Sequence, residues 1–101
     1  MSIARFGFEV EQRAAEEITY AVVTTAWASA PASITATLID LSDGNKDVGE
    51  DCLKGLASAV GDVITLPQVL ALEENHNYFY DVTFEADGDK FAFFLKIHAL
   101  R

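Results

Sequence analysis

The sequence predicts an all-β domain, a small antiparallel β-sandwich with an immunoglobulin-like arrangement. Two apolar runs alternate with period two on either side of Asp87-Gly88-Asp89-Lys90, the pattern of a β-hairpin with one buried face. β-Branched and aromatic residues dominate further short runs, separated by turns rich in Gly, Pro, Asp and Asn. The chain has 101 residues, half of them hydrophobic, which suits a single domain with its own core.

The hairpin is the element the pattern fixes best. Tyr78, Tyr80, Val82, Phe84 and Ala86 share one face of its first strand. Phe91, Phe93, Leu95, Ile97 and Ala99 share one face of the second, with Ala92, Phe94, Lys96 and His98 opposite. Phe93 and Leu95 are therefore expected inside and Lys96 outside.

Residues 1–17 are expected to form an N-terminal arm, and 18–101 the sandwich. Glu9 to Glu17 has good helix propensity but is short and weakly amphipathic, so an extended arm and a single helical turn both fit. Phe6 and Phe8 either cover an edge of their own core or dock on a neighbouring subunit. A domain this small has little spare core for both, so the arm is expected to contact a neighbour. Arg5, Phe6, Phe8 and Arg13 are the candidate interaction residues.

Ile18 to Trp27 reads as a strand with Ile18, Tyr20, Val22 and Thr24 on one face, and Trp27 is expected to plug the end of the core. Ala28 to Pro31 is a turn. Ala32 to Leu41 is a strand apolar on both faces, which suggests a cover on each side or an oligomer contact. Asp40 to Asp51 is an acidic loop. It fails as a calcium hand, because a register on Gly44 puts Ile39 and Leu41 at the first and third ligand positions. Asp40, Asp43 and Asp47 remain the candidates for an incidental cation. Cys52 to Val60 fits a short strand or a helical turn. Val63 to Leu66 begins a strand, and Pro67 marks an edge or bulge.

Sixteen acidic and seven basic residues give a formal charge of −9, with no basic stripe, so direct binding to nucleic acid is not expected. The first residues lack the basic-then-apolar pattern of an export signal, and no apolar run approaches the roughly 20 residues of a membrane span, so no membrane association is expected. Cys52 is the single cysteine and reads as a small buried hydrophobe. No phosphate-cradling Gly-rich loop, close cysteine pair or His-Glu-x-x-His pattern occurs. A nucleophile set would need His76 or His98 beside Cys52 or a serine, which only geometry decides. The expectation is a protein without catalysis, cofactor or resident metal.

Four stretches together resemble the small immunoglobulin-like domains of tailed-phage virion proteins. They are Glu16-Glu17-Ile18-Thr19-Tyr20, Ala26-Trp27-Ala28-Ser29-Ala30-Pro31, Asn77-Tyr78-Phe79-Tyr80-Asp81-Val82-Thr83-Phe84, and Asp87-Gly88-Asp89-Lys90-Phe91. The likeness spans about Glu16 to Leu100. The middle departs from it: Gly55 to Asp62 lacks a Gly-Thr-rich turn, and Asp40 to Asp51 is longer and more acidic. The resemblance implies a structural virion protein, a capsid decoration or cement protein or a head-tail component. It would be assembled in the host cytoplasm and act through contacts with the major capsid protein, other virion proteins and further copies of itself. A carbohydrate-binding or adhesin-like module is the alternative, with Tyr78, Phe79, Tyr80 and Trp27 as its aromatic platform.

Overall fold

Asp87 and Gly88 both take positive φ, 53° and 80°, and Ala86 pairs directly with Asp89. The two-residue connection is thus the mirror-image turn whose twist matches a right-handed hairpin. Asp89 and Lys90, between the connection and the second apolar run, already belong to the second strand.

The computed structural model describes residues 5–24 and 30–101, with side chains from residue 7 onward; the expectations for Trp27 and for the side chains of Arg5 and Phe6 lie outside these. The chain is all-β. In order, the strands are β1 (Arg5–Arg13), β2 (Ala21–Val23), β3 (Ala32–Asp40), β4 (Lys46–Asp47), β5 (Leu53–Lys54), β6 (Ser58–Val60), β7 (Val63–Thr65), β8 (Gln68–Val69), β9 (Asn77–Ala86) and β10 (Asp89–Leu100). One helical turn, α1 (Gly49–Cys52), precedes β5. Of the two structures that fit Cys52 to Val60, the strand is the one that forms, as β5 and β6; the helical turn lies ahead of it, in the acidic loop, and reaches only Cys52.

The large sheet runs β1-β10-β9-β3-β4, the small sheet β2-β7-β6, and β5 pairs with β8. Every pairing is antiparallel except β1 with β10, which run parallel over nine residues from Arg5↔Ala92 to Arg13↔Leu100. Residues 5–13 are thus the edge strand of the large sheet. The helix propensity of the following acidic stretch yields to this ladder, and a turn at 14–15 ends it, with the Glu16 N–H donating to the Arg13 carbonyl at 2.9 Å. The strand expected over Ile18 to Trp27 is shorter than its pattern: Ile18 makes an isolated bridge to Val69, and β2 covers only 21–23. The alternation is nonetheless as read, with Thr24 buried and Thr19, Ala21 and Val23 exposed.

The core lies between the sheets. Tyr78, Tyr80, Val82 and Phe84 from β9, Phe93, Leu95 and Ile97 from β10, and Leu38 from β3 meet Ile64, Leu66, Val69 and Leu72 in one cluster. Phe93 and Leu95 are inside and Lys96 is exposed, as period two requires. Pro67 falls between β7 and β8, and its carbonyl accepts a hydrogen bond from the buried Tyr80 hydroxyl at 2.9 Å, which links the large sheet to the opposite layer. Gln12 is fully buried at the end of β1. Its amide nitrogen donates to the carbonyls of Val69 (2.9 Å) and Glu16 (3.0 Å), and its oxygen accepts from the Tyr20 hydroxyl (2.9 Å). Each polar atom of this side chain is satisfied, so β1 is fastened to both layers.

Candidate contact surfaces

One polar cluster holds the residues with the most chemical capacity. Asp40, the last residue of β3, is buried, and its Oδ2 lies 2.8 Å from His76 Nδ1. Its Oδ1 accepts from the Ser42 N–H at 3.0 Å. His76 sits in the turn before β9, and its Nε2 lies 3.1 Å from Glu73 Oε2. The Asp40 hydrogen bond, reinforced by the charges of Asp40, Glu73 and Asp43 against some desolvation, holds the imidazole above its usual pKa. Both ring nitrogens therefore face carboxylates, and neither faces a nucleophile. Cys52 is close by but buried. Its thiol donates to the Ala71 carbonyl at 3.6 Å, and burial, then Asp51, Asp40 and Glu73, push its pKa up. A thiolate is disfavoured there. The geometry is that of a structural bolt joining the β3 end to the turn before β9.

The other groups singled out in the acidic loop are dispersed. Asp47 Oδ1 accepts from the Gly49 N–H at 2.9 Å, while Asp43 is exposed. Among the described residues no group of three or more His, Cys, Asp or Glu side chains is placed so that it could hold a metal ion.

The outward face of the large sheet carries Phe79 and Phe94, stacked at 5.0 Å with 24° between their planes. Gly7 makes room for this pair: a Cβ at that position would stand 2.2 Å from the Phe94 ring. Beside it, Glu9, Glu11, Lys96, His98, Leu41 and Ser42 line an open depression of about 760 Å³. His98 Nδ1 lies 2.7 Å from the Oδ1 of Asn77, which also lines it. Of the aromatics proposed for a sugar platform, Tyr78 and Tyr80 are in the core, and Phe79 lays its ring against Phe94. They do not form a common exposed row.

The outward face of the small sheet is different in kind. Alternation turns Val22, Ala59 and Ile64 inward and leaves Ala21, Val23, Ser58, Val60, Val63 and Thr65 facing out. Register places Val23 opposite Val63 and Val63 opposite Val60, a row of three valines that are 62%, 38% and 81% exposed. Ala21, Thr65 and Ser58 form the second row. None of the six is charged, in a chain where 23% of residues are.

The predicted interaction residues lie on β1. Phe8 is 45% exposed at the mouth between the sheets, so it neither leaves its own domain nor is fully absorbed by it. Arg13 is exposed at the strand end, where its backbone N–H donates to Glu16 Oε1 at 2.7 Å. The valine row is not legible in the sequence, because its members come from three short strands whose register is non-local.

No protein-family model matches this chain, and the search of curated proteins returns no match.

Proposed function

We propose that this domain is a structural module that acts by protein–protein contact, as a capsid decoration, cement or head-tail component of a tailed-phage virion. The observation that carries the reading is the uncharged valine face of the small sheet. Exposed apolar surface of this kind marks contact sites, and a partner that covers it gains about 25 cal/mol for each Å² buried. The acidic remainder of the surface favours a neutral or basic patch on the shell protein that receives it.

The strand order supports an immunoglobulin-like domain as the carrier. With β2, β3, β4, β6, β7, β9 and β10 taken as strands B, C, C′, D, E, F and G, the sheets run G-F-C-C′ and B-E-D, the order of that sandwich. Tyr78, at the start of the strand in the F position, accepts a hydrogen bond from the Glu73 N–H at 2.8 Å, in the manner of a tyrosine corner. Two residues on, where antibody domains carry a disulfide cysteine, stands the buried Tyr80.

Quantitative mass spectrometry of purified phage particles tests the function. A fixed copy number per particle is expected. Recovery only in the soluble fraction of infected cells, with none on particles, overturns the reading.

A further inference from the structure

We propose that β1 is a self-pairing edge, through which two copies of this chain join their large sheets antiparallel about a two-fold axis at Phe8. The backbone sets the parity. β1 runs parallel to β10 with Arg13 opposite Leu100, and the Ala14 N–H donates to the Leu100 carbonyl at 2.7 Å. Even-numbered residues of β1 therefore turn their N–H and C=O groups toward β10, and odd-numbered ones turn theirs to the open edge. Arg13 conforms, since its N–H and C=O engage Glu16 on that outer side. Among the described residues no strand pairs with this edge, so Arg5, Gly7, Glu9 and Glu11 present a strand template with no proline in it.

A second copy fits this template best in one register. Centring the axis on Gly7 sets Arg5 against Glu9 but pairs only residues 5–9 of β1. Centring the axis on Glu9 sets Glu9 against Glu9 and Arg5 against Arg13. Centring it on Val10 sets Glu9 against Glu11. Centring it on Phe8 sets Arg5 opposite Glu11 twice and Gly7 opposite Glu9 twice, all at hydrogen-bonding positions. Phe8 then meets Phe8 of the other copy at a non-hydrogen-bonded position, where side chains come closest. The site is prepared for that meeting. Phe8 is half exposed, and beside it Val10, Tyr20, Val22, Val23 and Leu95 line an apolar crevice of about 380 Å³. A symmetric contact needs one patch to complement itself, and this register does so in charge and in shape.

Sedimentation equilibrium over a concentration series tests the edge, with three variants. The wild-type chain should show a reversible monomer–dimer equilibrium. Arg5→Glu places like charges opposite at both ends and should raise the dissociation constant about tenfold, and Arg5→Glu/Glu11→Arg should restore it. Glu9→Pro removes an N–H that no described residue of its own chain uses, so the dimer should disappear while the circular-dichroism spectrum stays β. A chain that remains monomeric throughout, leaving the edge for a strand of another protein, overturns the proposal. So does a dimer indifferent to Arg5→Glu or not rescued by the double exchange, and the charge variants decide the matter even if Glu9→Pro fails to fold.

Discussion

The phenolic oxygen of Tyr78 accepts a hydrogen bond from the backbone N–H of Glu73, five residues earlier, at 2.8 Å. The bond closes the turn that brings His76 to Asp40, so the start of β9 is held by its own side chain and by the end of β3 together. The Tyr78 hydroxyl is harder to ionise than usual, chiefly because it is buried.

Tyr78→Phe removes the acceptor and leaves the Glu73 N–H without this partner. The expected loss is about 1–1.5 kcal/mol in denaturant unfolding. Hydrogen exchange at the Glu73 amide should accelerate as well. An unchanged midpoint with unchanged exchange would mean that the bond contributes nothing to the turn.

Phe93 is fully buried in the middle of β10, and Lys96 faces solvent three residues later. Phe93→Ala should cost about 3–5 kcal/mol, from lost burial and the cavity left behind. Lys96→Ala should stay within about 0.5 kcal/mol. Urea unfolding of the two variants side by side checks the register of the hairpin, and equal small effects would refute it.

His76 makes stability depend on pH with a definite sign. Its folded-state pKa lies above the unfolded value of about 6.5, so the folded chain holds this proton more tightly. The stabilisation is fully present below about pH 6.5 and is lost as pH rises through the raised folded value. Between about pH 6 and about pH 8 the melting temperature of the wild type should fall more than that of His76→Gln. Parallel melting curves for the two proteins would show that the bolt does not titrate as its geometry requires.

The hairpin was legible because its signals are local: period two along each strand and an Asp-Gly pair able to take positive φ. Even there the polar character of Asp89 and Lys90 hides that a two-residue connection leaves them inside the ladder. β1 was harder. Glu11, Gln12, Arg13 and Ala14 score as helix formers, and only pairing with β10, more than eighty residues away in sequence, makes most of them extended. The bolt was illegible for a related reason. Asp40 and His76 stand in an acidic loop and a polar turn, and nothing along the chain says that folding sets them 2.8 Å apart. The valine face shows the same limit at a contact surface. Val23, Val60 and Val63 look like ordinary strand residues until register aligns them on the outward side.

The central claim is that this domain works through the uncharged face of its small sheet. Incorporation of a Val23→Lys/Val60→Lys variant into particles, in competition with wild-type chain, measures it most directly. Both side chains already face solvent, so the melting temperature should shift by no more than a few degrees. Incorporation should nonetheless fall about tenfold or more, because two charges would be buried against the shell without partners. Incorporation equal to wild type, with the fold intact, would contradict the claim and remove the valine row from the function of the protein.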